Sequence, residues 1–268
     1  MSVWIDETYL PDIGVIVLVG GEEPALPTTR DRSVVIPGRP GAYDLGGELG
    51  VRNFELNCAI AGVRDHNLIA TKVREFTQLL IDRYGRPKTV KLRFESEPDR
   101  FYYVRYSGNI PVDKIAYTAK FTVPMTAFDP YAKSLVTNDE VAWGSEKITF
   151  ESQYSLGNSG GGKPVTITNA TSLNVYVEGL LVRPVIAIEG SGTDVVIGVN
   201  GNEMLLESFE NKIIIIDCEN FTVTVNGESS LSILSGNFIE LLNGDNSISI
   251  SGTNLNLTIA TKFRDQFI

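Results

Sequence analysis

Few residues of this chain have a type and spacing that could carry chemistry. The most suggestive segment is Gly157-Asn-Ser-Gly-Gly-Gly-Lys163-Pro164, which has the Gly-x-x-x-x-Gly-Lys spacing of a phosphate-binding loop. Such a loop continues with a Ser or Thr hydroxyl that binds magnesium, and it opens a helix whose N-terminus faces the phosphates. Here Pro164 stands at the hydroxyl position and the next residues, Val165–Thr168, favour a strand. We therefore expect a glycine turn and no nucleotide site.

The only histidine, His66, would have to serve any Ser-His-Asp or Cys-His catalytic arrangement. It follows Asp65 at the start of a predicted helix, where a solvated or half-packed imidazole is the simpler interpretation. One histidine and two cysteines that lie 160 positions apart, Cys58 and Cys218, cannot form a zinc site. We expect both cysteines to be small buried hydrophobic residues, and we predict no catalytic residue, no metal site and no cofactor.

The acidic residues leave two rival functions open. A glycoside hydrolase needs only two carboxyl groups about 5–10 Å apart, and the 16 acids of residues 134–268 supply such pairs by chance. Sugar binding without catalysis is the stronger alternative, because many β-sandwich domains stack aromatic rings on sugars. Phenylalanine predominates in this half, which suits a core better than a sugar platform. Its aromatic residues are Trp143, Phe150, Tyr154, Tyr176, Phe209, Phe221, Phe238, Phe263 and Phe267.

Charge is distributed unevenly along the chain. Residues 1–133 hold 17 basic and 17 acidic residues, whereas residues 134–268 hold 6 and 16, which accounts for the whole net charge of −10. This step predicts two domains, residues 1–133 and 134–268, joined by a linker at Lys133–Asn138. The acidic half should repel nucleic acid, and the first half, with 11 of the 13 arginines, suits packing against protein. No contact with nucleic acid is required.

The amino terminus predicts a protein that is made in a cytoplasm and is not inserted into a membrane. Its first 14 residues, MSVWIDETYLPDIG, carry acids and no basic segment, unlike a secretory signal. The longest apolar runs, Val15–Val19 and Ile213–Ile216, fall far short of the roughly 20 residues that span a bilayer.

Hydrophobic spacing favours one helix among many strands. Between Asp65 and Tyr84, apolar residues recur every three or four positions, at Ile69, Val73, Phe76 and Leu80, with Asp65 as N-cap and Gly85 as a stop. Strands are predicted in the first half at Gly14–Val19, Val51–Ile60, Thr89–Phe94, Phe101–Tyr106 and Tyr117–Val123. In the second half they are predicted at Val165–Thr168, Val185–Ile188, Val195–Val199, Ile213–Ile216, Phe221–Val225, Ser247–Ile250 and Leu255–Ile259. The Asn-Gly pairs between the latter predict hairpin turns and a β-sandwich.

Residues 20–50 form a stretch rich in Gly and Pro with one short apolar run, Ser33–Ile36. The stretch is too long for a simple turn, and we interpret it as an extended hairpin, which we call the arm. Because it would have little core of its own, we expect it to cross to a neighbouring subunit of a closed cyclic oligomer.

Several segments, taken in order, resemble the distal tail protein (Dit) family of siphophages. In the first half these are Ile36-Pro-Gly-Arg-Pro-Gly-Ala-Tyr43, the strand Val51–Ile60, the single helix, Asp99-Arg-Phe-Tyr-Tyr-Val104, Phe121-Thr-Val-Pro124 and Asp129-Pro-Tyr131. In the second half they are Ile213–Asp217, the Asn226-Gly turn, Gly236–Ile248 and Thr261–Phe267. No single motif is specific, but the ordered set covers nearly the whole chain.

The resemblance implies a mainly β protein with one helix. Its first domain would be a tail-tube-like β-sandwich or barrel with a protruding hairpin, and its second a galectin-like β-sandwich. It further implies a structural hub without enzymatic activity, a hexameric ring in the virion tail tip or baseplate that is assembled in the host cytoplasm. Its partners would be the tail tube protein, a tail-associated lysin or fibre protein and, in some phages, a receptor-binding protein. Galectins bind sugar through a His-Asn-Arg and Trp pattern, and the second half has no histidine, so that activity is not carried over.

Overall fold

The computed structural model describes residues 2–21, 23–61, 66–115, 118–141 and 162–268. They form two compact units: a first unit of residues up to Ala132 together with Ile268, and a second unit of Lys133–Phe267. Strands dominate both units, and the described parts of the chain contain one α-helix, so the mainly β fold class with one helix is confirmed. No helix in these parts is both long and apolar enough to cross a bilayer.

The strands of the first unit are β1 Val3–Ile5, β2 Thr8–Tyr9, β3 Ile16–Val17, β4 Thr29–Val34, β5 Tyr43–Leu49, β6 Arg52–Ile60, β7 Thr89–Phe94, β8 Arg100–Tyr106, β9 Val112–Ile115 and β10 Thr118–Ala127. Strands β4 and β5 form a separate pair, and the others form a sheet with the order β2–β1–β7–β8–β10–β6–β3, with β9 beside β10. β6 and β10 pair from Arg52 opposite Ala127 to Ile60 opposite Ala119. Along β6, Phe54 and Leu56 are buried and Glu55 is exposed, as alternation requires.

Helix α1, His66–Leu80, packs its predicted apolar face on this sheet. Ile69, Phe76 and Leu80 are buried, and the ring of Phe76 lies 5.3 Å from that of Phe121 on β10. The helix ends four residues before the predicted Tyr84, because the carboxylate of Asp82 accepts the backbone N–H groups of Tyr84 and Arg86 at 2.8 Å and forms a turn. The predicted N-cap, Asp65, lies outside the described residues.

Most predicted strands of this unit are present within one or two residues, with two differences. The predicted strand Gly14–Val19 shrinks to β3, because the proline-containing segment Leu10–Ile13 forms a 3-10 turn that Gly14 closes at φ 78°. Strand β10 continues to Ala127 beyond its predicted end at Val123, and Pro124 lies within it opposite Glu55.

The second unit is a sandwich whose two layers share two long strands, β14 and β20. Its strands are β11 Ala132–Ser134, which begins in the first unit, β12 Val165–Ile167, β13 Thr171–Val177, β14 Val185–Val199, β15 Asn202–Leu206, β16 Phe209–Asp217, β17 Thr222–Val225, β18 Glu228–Ser229, β19 Leu234–Gly236, β20 Gly244–Lys262 and β21 Gln266–Phe267. One layer runs β12–β20–β14–β16–β17–β18, and the other is completed by β13 beside β20 and by β15 and β19 beside β14. The core lies between the layers.

Each long strand merges two segments that the sequence predicts as separate strands. Val185–Ile188 and Val195–Val199 both lie on β14, and Ser247–Ile250 and Leu255–Ile259 both lie on β20. The separate-strand prediction was wrong because the glycines between them are corners inside a strand. Pairing shifts register next to Gly190, whose φ is 135° and where a Cβ would lie 2.3 Å from the carbonyl oxygen of Asn256.

Two predicted Asn-Gly turns join adjacent strands. Asn200-Gly201 connects β14 to β15 and Asn226-Gly227 connects β17 to β18, with φ positive at both residues of each turn, as in a type I′ hairpin.

The segment Lys133–Asn138 is not a free linker, and that prediction was wrong. Asn138 is buried, and its side chain donates to the carbonyl of Thr261 at 2.9 Å and accepts from the backbone N–H of Phe263 at 3.1 Å. Arg264 donates to the carbonyl of Ser134 at 2.8 Å. The side-chain amide of Asn138 thus adds to backbone hydrogen bonds and ties this segment to the end of β20.

Candidate assembly surfaces

The described residues that the sequence singles out for chemistry do not form a metal site. No group of three or more His, Cys, Asp or Glu side chains that could hold a metal ion occurs among the described residues. Cys58 and Cys218 are both buried as free thiols, one in each unit, and burial raises the pKa of each to about 12. A thiol with such a pKa is neutral at pH 7 and behaves as a small apolar group.

The glycine-rich segment lies mostly outside the part of the chain that the structure describes, and the histidine begins helix α1. Gly157–Gly161 lie outside the described residues, and beyond Lys163 and Pro164 the chain enters strand β12. The helix that a phosphate-binding loop needs is therefore not at that position. His66 is the first residue of α1, as predicted.

The carboxyl group of Asp265 in the second unit has a strongly raised pKa, and the groups around it stabilise the fold. Burial raises the pKa of Asp265 to about 6, and the nearby Glu178 carboxylate adds to the rise. The backbone N–H of Glu178 donates to Asp265 at 2.9 Å, which partly opposes it. The backbone of Asp265 in turn pairs with Ser134, so this residue fastens the start of the second unit to its end.

The longest run of exposed residues in the described parts of the chain lies in the arm. Strands β4 and β5 pair only with each other, and each residue from Thr28 to Leu49 is exposed. Five aliphatic side chains and one tyrosine of this hairpin therefore face water, namely Val34, Val35, Ile36, Tyr43, Leu45 and Leu49. A patch of this kind on a soluble protein marks an interaction surface.

The tip of the arm, Ile36–Tyr43, is held in a defined shape. The backbone N–H of Arg39 donates to the carbonyl of Ile36 at 3.1 Å, and Gly38 adopts φ 83°. The guanidinium of Arg39 lies 4.5 Å from the centre of the Tyr43 ring. The tip thus combines an aliphatic group, an aromatic ring and a cation, a composition favoured in protein interfaces.

Arg52 anchors the base of the arm, and the sequence predictions did not include it. It is 4% exposed, and its guanidinium donates to the carbonyls of Pro24 at 2.7 Å, of Ala25 at 2.8 Å and of Pro130 at 3.5 Å. It also lies 5.0 Å from the Tyr102 ring. Its position in the alternation of β6, on the same face as Phe54, is the signal that could have revealed a buried cation.

The second unit presents one exposed aromatic ring in a constrained turn. Phe221 is 54% exposed at φ 55°, a conformation that is unfavourable for a bulky side chain. Asp217 holds the turn by accepting the backbone N–H groups of Glu219 and Asn220. Beside the ring lies Arg183, which pairs with Glu240 at 2.6 Å.

Comparison with known proteins matches both halves of the chain to phage tail families. Residues 10–127 match the family described as phage tail protein RIFT-related domain, and residues 181–267 match the siphovirus-type tail component, C-terminal domain. The two matches define a two-domain tail component of a siphophage, and together they cover about three quarters of the chain. The chain belongs to the siphophage distal tail protein family, as the resemblance predicts.

A solved structure shares its fold. The crystal structure of SPP1 Dit (gp 19.1) protein, described as a paradigm of hub adsorption apparatus in Gram-positive infecting phages, superposes with a TM-score of 0.70 at 17% identity. The match covers 100% of this chain and 99% of that one. A component of the phage p2 baseplate in its activated conformation with Sr is more distant, with a TM-score of 0.47, 11% identity and coverage of 97% and 94%. No curated protein sequence matches the chain.

Proposed function

We propose that this protein is the structural hub of a siphophage tail tip, where six copies close into a ring. Membership of the distal tail protein family supports a structural role in the tail of the virion. The observation that carries the proposal is the arm, because a structured hairpin with no buried residue from Thr28 to Leu49 is incomplete as part of a monomer.

The physical argument for a ring starts from the arm's stability. A two-stranded hairpin is marginal in water unless a third strand or another surface packs against it. Docking on a neighbouring copy buries the aliphatic side chains and gives the hairpin that surface. An arm that protrudes from one copy and docks on the next makes a head-to-tail contact, which either closes into a ring or extends into a filament. A tail tip requires the closed ring.

The finer assignments follow the family resemblance. The ring joins the tail tube protein on one face to a tail-associated lysin or fibre protein on the other, and receptor-binding proteins attach at its periphery. We place the boundary between ring-forming and peripheral parts at residue 133, so that residues 1–133 form the ring and the acidic residues 134–268 form a galectin-like rim. The protein has no catalytic activity in this proposal, and the ring forms in the host cytoplasm before it enters the virion.

Negative-stain images of the purified full-length protein test this proposal. We expect closed rings with six-fold symmetry, and we expect them to disappear when residues 22–48 are deleted. Particles the size of a single copy at every concentration, with or without the tail tube protein, would refute the ring.

Sugar binding remains a second candidate because of Phe221. An exposed ring beside the Arg183–Glu240 pair combines a stacking surface with charged hydrogen-bonding groups, which is how proteins hold sugars. Phe209 and Phe263, by contrast, are buried in the core. Binding of purified host cell-wall polysaccharide that is lost in Phe221→Ala and kept in Tyr84→Ala, an exposed aromatic of the first unit, would favour this function.

A further inference from the structure

A groove of about 260 Å³ lies on the first unit where β3 leads into the arm. It is lined by Leu18 and Val19, which follow β3, by Asp113 of β9 and by Lys120 and Thr122 of β10. Val19 is 93% exposed, although it is an aliphatic residue. The groove is smaller than the roughly 300–1,000 Å³ of small-molecule sites, and it has room for one or two side chains.

The apolar wall of the groove is preformed. The backbone N–H of Leu18 donates to the carbonyl of Asn57 at 2.7 Å, and the side chain of Asn57 donates to the carbonyl of Gly20 at 2.9 Å. Gly21 lies so close to β6 that a Cβ there would be 2.3 Å from the carbonyl oxygen of Glu55. The sheet therefore holds the Val19 side chain in contact with water. Because hydration of an apolar side chain is unfavourable, this position favours an apolar partner.

The arm tip of the same chain has the complementary chemistry. It offers the half-exposed aliphatic Ile36 together with Arg39, and the groove offers Val19 together with Asp113. The groove's cation, Lys120, has a counterpart in Asp44 at the start of β5. Asp113 and Lys120 are cross-strand partners on β9 and β10, and the tip offers each of them a group of opposite charge.

The arm cannot fill the groove of its own chain while the hairpin is extended. Strand β5 spans seven residues, which at about 3.3 Å per residue places the tip roughly 20 Å from the base. The groove lies at that base, next to Gly20. Each copy consequently presents a tip at one end of the arm and a groove at the other, the two different patches that a head-to-tail ring requires.

We propose that the arm tip of one copy inserts Ile36 and Arg39 into the groove formed by Val19 and Asp113 of a neighbouring copy. This inference rests on the proposed ring and specifies the surface that receives the arm. Arg39 approaches the Asp113 carboxylate, and Ile36 covers Val19.

Two experiments on the full-length protein test the groove. In the first, the variant Ile36→Cys/Val19→Cys is oxidised. Because Cys58 also lines the groove, the variant and its control are made in a Cys58→Ala/Cys218→Ala background, where only the new thiols can react. They should yield a covalent ladder up to the full ring on a non-reducing gel. The matched control, Ile36→Cys/Tyr84→Cys, places the second thiol at another exposed position of the first unit and should give no ladder.

In the second experiment, charges are exchanged. Arg39→Asp and Asp113→Arg should each raise the concentration needed for assembly about tenfold or more, and the double variant should restore it. Either the ladder or the rescue supports the groove. A ring that forms while neither occurs refutes the groove and leaves the proposed function intact, whereas the absence of any ring refutes both.

Discussion

The arm and the two long strands of the second unit are both antiparallel β-structure, but they are stabilised in opposite ways. Strands β4 and β5 bury no side chain, and the ion pair between them, Arg32–Glu48 at 2.5 Å, is more than half exposed on both sides. Strands β14 and β20 pair with each other through most of their length and bury alternate residues such as Ile186, Ile197 and Ile248 between two layers.

This difference indicates where the protein is complete and where it depends on another molecule. The second unit encloses a continuous core, so its folding free energy is available within one chain. An exposed ion pair contributes at most about 1 kcal/mol, which does not offset the entropy lost when some twenty arm residues are ordered. In the proposed ring the arm gains its stability on docking, and the following substitutions test that division.

The corner glycine Gly190 should give the largest effect. In Gly190→Ala the new Cβ meets the carbonyl of Asn256 at 2.3 Å, and φ 135° is unfavourable for alanine, so we expect a loss of about 3–5 kcal/mol in the free energy of unfolding. Gly46→Ala in the arm is the matched control. Gly46 also has positive φ, at 92°, but open space around it, and should cost only about 1–2 kcal/mol. Urea unfolding followed by circular dichroism measures both, and equal losses would contradict the contrast.

Loss of the Arg52 anchor should come next. Arg52→Ala leaves the carbonyls of Pro24 and Ala25 without their buried donor, and we expect destabilisation of about 2–4 kcal/mol together with faster proteolysis at the arm base. Arg32→Ala, which removes only the exposed ion pair, should cost less than about 1 kcal/mol. Urea unfolding and limited trypsin digestion measure the two effects. An Arg52→Ala variant as stable as Arg32→Ala would show that the arm base is not anchored as described.

The alternation of apolar and polar residues explains why the helix and strands were predictable and why the roles of Gly190 and Arg52 were not. Apolar spacing identifies α1 and strands β6 to β8 because each has one buried face and one solvated face. Gly190 and Gly252 resemble turn residues in sequence, and only pairing with the facing strand shows that they are corners. The buried face of Arg52 is visible in the alternation, but its acceptors are backbone carbonyls from distant segments, which no local pattern records.

The candidate surfaces were predictable to a different extent. The arm was predicted because thirty residues rich in Gly and Pro cannot form a core. The exposed Phe221 was assigned to a strand, and its positive φ becomes apparent only once Asp217 is seen to hold the turn. A lone phenylalanine beside Asn carries no sequence signal that separates a turn from a strand end.

The effect of Asp265 on how the free energy of unfolding depends on pH should be smaller than the effect of removing Arg52. Burial raises the pKa of Asp265 to about 6 in the folded state, above its ordinary value near 3.9, so the folded protein binds this proton more tightly than the unfolded chain does. Its stabilising contribution is complete below about pH 4 and is lost as pH rises through 6. We expect Asp265→Asn to be about 1–2 kcal/mol more stable than the parent at pH 7 and to remove that slope. Unfolding free energies of parent and variant from pH 4 to 7 test this, and a difference between the two proteins that stays constant over that range would contradict it.

A substitution in the exposed arm should have the smallest effect on folding. Val35 is 68% exposed, so Val35→Ser should change the free energy of unfolding of dissociated protein by less than about 0.5 kcal/mol. Dilute protein in urea provides the measurement. A loss above 1 kcal/mol would show that the arm contributes to the stability of a single chain.

The central claim is that the arm joins copies of this 29.3 kDa chain into a closed ring, and multi-angle light scattering tests it most directly. The full-length protein should elute with about six times the monomer mass, and deletion of residues 22–48 should reduce the mass to that of one chain while circular dichroism stays that of a folded β protein. A full-length protein that remains monomeric at high concentration, or a deletion variant that keeps the mass of the ring, would contradict the account.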